Sequence, residues 1–156
     1  MRRRQLLRRV GVAGTAAFAG CLGDGSGAGE TPTTNPAEGP SVTDTRFTVT
    51  GRASGTQVSD ATVTFGDGTV VVEGTIWGAN GCKTAELAGV SYDGDADELT
   101  IAVATTDREG AGDGCTQAIV EIDYRAVVTV DGGLPGSVTV THDHGDGPTT
   151  AATATR

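Results

Sequence analysis

One stretch of the chain alternates with a period of two for thirteen residues. Ala118, Val120, Ile122, Tyr124, Ala126, Val128 and Val130 share one parity, and Gln117, Glu121, Asp123 and Arg125 carry the other, with Ile119 and Val127 as exceptions. Successive side chains of an extended strand point to opposite faces, so this pattern is a strand with one apolar face that something must cover. As a single straight strand it would run about 43 Å. That length predicts a strand that bends or serves two sheets.

The covering layer has to come from shorter strands, and the sequence supplies them. Phe47 and Val49 alternate with Arg46, Thr48 and Thr50. Ala61, Val63 and Phe65 lead into Gly66-Asp67-Gly68, after which Val70, Val72 and Ile76 continue on one face, the pattern of a hairpin. From Thr84 to Tyr92 the phase slips between Leu87 and Val90, and Gly89 at the slip predicts a bulge. Leu99, Ile101 and Val103 line a further strand after the Asp93–Asp97 turn, and Val138 and Val140 begin a last one. No segment has a helical period. Seven strands within residues 42–144 predict an all-β fold, an antiparallel β-sandwich of about seven strands with immunoglobulin-like architecture. A small β-barrel is the alternative. If strands 84–92, 99–103 and 118–130 form a meander, the first and last of them start at one end of the same sheet.

The flanks read differently. Residues 1–20 have a basic start, Arg2-Arg3-Arg4 with Arg8-Arg9, and a small apolar run from Val10 to Gly20. That run is much shorter than the ~20 residues a spanning helix needs, and the pattern is an export signal. Arg3-Arg4-Gln5-Leu6-Leu7 resembles the twin-arginine signal, and Phe18-Ala19-Gly20-Cys21 resembles a lipobox whose Cys21 thiol accepts lipid. Residues 21–41 have no hydrophobic period and are rich in Gly, Thr and Pro, as a flexible linker would be. Residues 145–156 revert to Gly, Thr and Ala and are expected to be a disordered tail.

Charge narrows the partners. Five of the eleven basic residues precede Cys21 and all twenty acidic residues follow it, so the chain from Cys21 onward has six basic residues and a net charge of −14. Self-repulsion on that scale is screened at molar salt, where the Debye length is about 3 Å. Acidity with a single lysine, Lys83, is a halophilic composition. It argues against nucleic acid, which needs a basic surface. Beyond Cys21 two cysteines remain, Cys82 and Cys115, and in an exported chain an even pair reads as one disulfide. Because the meander would hold their strands apart, the bond is expected between the entering loops, closing one end of the sandwich.

Candidate sites are sparse. His142-Asp143-His144 holds the only histidines, and His142 and His144 fall in phase with Val138 and Val140. Two imidazoles so spaced, with Asp143, suit copper or zinc, although two are too few for a closed site. Asp93-Gly94-Asp95-Ala96-Asp97-Glu98 begins like a calcium loop but lacks the glycine and the closing glutamate. Trp77, next to the loop that reaches Cys82, is a possible ligand contact. No spacing suggests a catalytic triad or a phosphate loop, so the catalytic set is expected to be empty and the chain not an enzyme.

The signal, lipobox and acidic tether together resemble the secreted lipoproteins of halophilic archaea. The resemblance covers residues 1–41, and it implies anchoring at the extracytoplasmic face of the cell membrane through lipid on Cys21. It implies no activity. The expected function is a binding or structural domain of the envelope that contacts a protein, a glycan or a small ligand through loops at one end. The alternative is a transition-metal carrier using His142 and His144.

Overall fold

The computed structural model describes residues 39–156. The signal, Cys21 and most of the linker lie outside the described residues. Eight strands occur in chain order: β1 (Ser41–Ser54), β2 (Asp60–Phe65), β3 (Thr69–Gly78), β4 (Lys83–Asp93), β5 (Glu98–Asp107), β6 (Val120–Asp131), β7 (Ser137–Asp143) and β8 (Pro148–Thr155). They form two four-stranded sheets, ordered β1-β6-β3-β2 and β4-β5-β7-β8. The sheets face one another as a sandwich and do not close into a barrel.

The thirteen-residue alternation becomes β6, the strand with neighbours along its full length in the first sheet. It pairs antiparallel with β1 on one side and β3 on the other. Val120, Ile122, Tyr124, Ala126, Val128 and Val130 are all buried. The strand stays in one sheet and neither serves two nor includes Ala118, which is exposed in the preceding loop. Opposite it the second sheet presents Leu99, Ile101, Val103, Val138 and Val140, each essentially without solvent contact. Burying such side chains stabilises by roughly 1.5–3 kcal/mol apiece, so these two apolar faces hold the sheets together.

Three expectations are corrected. The meander does not form: β5 neighbours β7, and β6 sits in the other sheet. The connection 108–119 is long enough to carry the chain across, and β6, apolar on one face only, can be buried equally well from either layer. One pair is consequently parallel, since β5 and β7 run in the same direction with Leu99 opposite Val138 and Val103 opposite His142. The layers are those of an immunoglobulin-type sandwich, but the connectivity is its own. Finally, residues 145–156 are not a loose tail. Pro148–Thr155 forms β8 and pairs with β7 from Ser137 to Asp143. Its Thr and Ala side chains gave no hydrophobic signal because β8 is an edge strand held by main-chain bonds, with Pro148 at its first position, where a missing N–H costs little. The bulge expected at Gly89 does occur, as a register shift between Leu87 and Gly89.

Gly74 on β3 has a specific task. A Cβ there would lie 2.6 Å from the Tyr124 hydroxyl oxygen and 2.7 Å from the Asp60 carbonyl oxygen. The bare backbone makes room for the Tyr124 ring, which also stacks on Phe47 with centroids 5.4 Å apart.

Two stability predictions follow from this packing. Removing residues 148–156 should lower stability by about 2 kcal/mol or more, because β7 loses a ladder and its apolar face gains solvent contact. Denaturant unfolding of the shortened chain checks this, and an unchanged midpoint would mean that β8 is dispensable. Gly74→Ala should cost about 1–3 kcal/mol by overpacking Tyr124, measured as a lower thermal midpoint.

Candidate functional site

The ends of the sandwich are unlike. At one end lie tight turns: Gly66-Asp67-Gly68, the Asp93–Asp97 turn and Asp131-Gly132-Gly133. The calcium-like sequence is such a turn, with Asp93 Oδ1 accepting from the backbone N–H groups of Asp95 and Ala96. Tyr92 donates its hydroxyl to Asp97 Oδ1 at 2.7 Å, which holds the Asp97 carboxyl below its usual range and pushes the phenol up. At the other end lie the connections 55–59, 79–82, 108–119 and 144–147, of which 108–119 is by far the longest. Trp77, Cys82, Cys115, His142, Asp143 and His144, scattered in the sequence, all converge on this loop end.

The two cysteines are bonded, with Cα atoms 5.4 Å apart. Cys82 immediately precedes β4 in the second sheet, and Cys115 lies in the loop that feeds β6 in the first. The disulfide therefore ties the two sheets across the loop end and does not link two strands of one sheet. It closes the end as expected, by a different route.

His142 is not a solvated strand end. It has no solvent exposure, because β7 continues its inward parity from Val138 and Val140. Its Nε2 lies 2.7 Å from the Tyr124 hydroxyl, which reaches across from the first sheet. Its Nδ1 lies 2.8 Å from Ser59 Oγ, in the loop before β2. A neutral imidazole has one N–H donor and one acceptor nitrogen, and each hydroxyl can take either role, so both ring nitrogens are satisfied in either tautomer. No buried side-chain nitrogen or oxygen among the described residues is left without a partner. Burial, and to a lesser degree neighbouring His144, push the His142 pKa down to about 4, against a smaller opposing pull from Asp60. Burial likewise raises the Tyr124 phenol well above its usual range.

His144 is half-buried and stacks on Trp77, with ring centroids 4.5 Å apart and planes within 13°. Its Nδ1 donates to the Trp77 carbonyl oxygen at 3.0 Å. That carbonyl is available because β2 begins opposite Thr75, so the last residues of β3 have no strand on that side. Asp143 turns away from both imidazoles, its Oδ1 accepting from the backbone N–H groups of Gly145 and Gly147. The His142 and His144 rings are edge to face at 6.1 Å. Among the described residues no three His, Cys, Asp or Glu side chains gather as a metal site. In this arrangement the two histidines dock β7 onto the first sheet, and Trp77 covers the outer ring.

Two shallow depressions open on the surface. One, of about 420 Å³, is lined by Thr50, Asp60, Thr62, Glu73, Thr75 and Asp123 on the outer face of the first sheet. Thr75 donates to Asp123 Oδ1 at 2.6 Å and Glu73 pairs with Arg125 at 3.5 Å, so its polar groups largely satisfy one another. The other, of about 250 Å³, lies at the loop end between Arg52, Ser54, Gly81, Thr116, Ala118 and Ile119. The sequence offered no signal for Ser59, Tyr124 or Arg52 as parts of this end. Their partners lie 83, 18 and 29 or more positions away, and only the strand order brings them together.

Tyr124→Phe should lower stability by about 1–3 kcal/mol, the cost of leaving a buried imidazole nitrogen unpaired, with denaturant unfolding as the check. The titration of His142 has a defined sign. Unfolded imidazole takes up a proton near pH 6.5 and folded His142 only near 4, so between these values the unfolded state binds more protons. The stabilising contribution is complete above pH 6.5 and is lost as pH falls towards 4. In that window the stability of the wild-type chain should fall more steeply than that of His142→Phe; equal slopes would contradict the assignment. Comparison with family models, with curated proteins and with solved structures finds no match to this chain.

Proposed function

We propose that this chain is a lipid-anchored binding or structural domain of the cell envelope, held at the extracytoplasmic membrane face through Cys21 and meeting its partner with the loop end of the sandwich. The observation that carries the binding half of this reading is convergence. Four connecting loops gather at one end, and that end is cross-linked by Cys82–Cys115 and by the Tyr124–His142–Ser59 contacts. Loops held in one conformation bind with less entropy to lose, so rigidity at a loop cluster favours recognition. The anchoring half is supported by the sequence alone, through the lipobox Phe18-Ala19-Gly20-Cys21 and the Gly/Thr/Pro tether after it. In this reading the domain is not an enzyme, and its net charge of −14 from Cys21 onward suits it to molar salt.

Two outcomes are expected. Cys21→Ala expressed in a halophilic archaeal host should move the chain from the membrane fraction to the medium; continued membrane association would contradict lipid anchoring. The immobilised full chain should retain an envelope glycan or protein at molar salt. Reduction of Cys82–Cys115, which relaxes the loop end and removes about 3–4 kcal/mol in the chain-entropy model, should weaken that capture. Capture indifferent to reduction would place the binding surface elsewhere.

A further inference from the structure

In a domain this acidic, the few cations are unevenly placed. Of the six basic residues after Cys21, Arg52, Lys83 and Arg108 sit together at the loop end. Arg52, near the end of β1, donates through one terminal nitrogen to the backbone carbonyls of Gly81 and Lys83. Arg108, just after β5, donates to the same Gly81 carbonyl at 3.3 Å. Two guanidinium groups thus share one oxygen. Their proximity is unfavourable: partial burial and, after it, the charge of Arg108 depress the Arg52 pKa. No carboxylate compensates. The ion pairs among the described residues are Lys83–Asp107 at 2.9 Å and Arg125–Glu73 at 3.5 Å, and neither involves Arg52 or Arg108. Glu109 and Asp113, on the same loop as Arg108, form no pair with either.

The local backbone enforces this arrangement. Gly81 donates its N–H to the Thr116 carbonyl at 3.0 Å, and a Cβ at Gly81 would collide with Thr116 Oγ1. Cys82–Cys115 fixes the same two loops one residue further along. Arg52 uses one terminal nitrogen on carbonyls, which leaves Nε–H and the second terminal nitrogen free to donate. Arg52 and Gly81 line the depression of about 250 Å³, where Ser54 and Thr116 add hydroxyl groups, and Arg108 meets its edge through the Gly81 carbonyl.

We propose that Arg52 and Arg108, drawn together on the Gly81 carbonyl at the disulfide-linked end, form an oxyanion site that takes the carboxylate or sulfate group of an acidic glycan. The proposal rests on the surface-binding reading above and supplies its ligand class. A guanidinium fork matches a group with two oxygens better than it matches a spherical ion, which is how such a ligand can compete with molar chloride. The overall charge does not forbid it, because at molar salt the field of the domain fades within about 3 Å and contact chemistry decides. The depression lies below the usual size of a pocket for a drug-sized molecule. It fits one charged sugar unit of a longer chain lying across the loop end, with Ser54 and Thr116 placed for its hydroxyls.

The test is NMR of the isotope-labelled full chain at constant molar ionic strength. Sodium sulfate replaces chloride in one arm, oligogalacturonate is added in a second, and neutral maltooligosaccharide serves as the control. Saturable shifts of the Arg52 and Arg108 Nε–H signals are expected with either anion and not with the neutral sugar. A response to sulfate alone supports an oxyanion pocket but overturns the glycan assignment. Affinity should fall at least tenfold in Arg108→Gln, whose side chain makes a single bond to the fold, and in Arg52→Gln. It should be unchanged in Arg46→Gln, an exposed arginine on β1. Absence of saturation by both anions, or binding that survives both substitutions, overturns the site. Envelope capture that persists in Arg108→Gln would overturn the site while leaving the surface-binding reading intact. Saturable anion binding without envelope capture would sink that reading and keep the site.

Discussion

The hydrogen bond between Tyr124 and His142 is the point on which the loop end depends. Along most of β6 the two sheets meet through aliphatic side chains, and many sequences of similar volume would serve. At Tyr124 the contact turns polar. A buried imidazole must have both nitrogens satisfied or lose about 1–3 kcal/mol for each orphan. Satisfying them requires Tyr124 from one sheet and Ser59 from a loop, in fixed geometry. Aliphatic packing holds the sheets together, while this contact specifies how they are positioned where the loops emerge.

Other constraints at the same end add to it. Glu121 accepts from the Thr56 N–H at 2.7 Å and so holds the loop after β1. Trp77 covers His144, the disulfide joins the loops of the two sheets, and Arg52 reaches from β1 to the carbonyls around the start of β4. The opposite end is held by exposed hydrogen bonds: the local Asx contacts, Ser137 Oγ donating to the Asp97 carbonyl and Arg156 to the Leu134 carbonyl. Cross-links gathered at the end that carries the long 108–119 loop are the distribution expected where loops present a surface.

The sequence made the layers legible and the connections illegible. Period-two alternation identified the inward residues of β3, β5, β6 and β7 and even the bulge at Gly89, because burial of one face is a local pattern. It could not assign β6 to a sheet, since its apolar face fits either layer. It missed β8, whose threonines and alanines pair through the backbone and carry little hydrophobic signal. His142 was visible as an in-phase residue, yet its partners were not, because Ser59 and Tyr124 meet it only through the order of strands. The basic cluster was hidden by the net charge: −14 from Cys21 onward obscures three cations that the fold brings to one place. Residues 1–41 were the most informative about location and lie almost wholly outside the described residues.

Correlation of the His142 ring nitrogens with the ring protons by NMR tests the central claim most directly. The account predicts a neutral ring from pH 8 down to about 5, protonating near 4. A ring that titrates near 6.5 would mean that Tyr124 and Ser59 do not hold it buried, and the loop end would lose the constraint assigned to it.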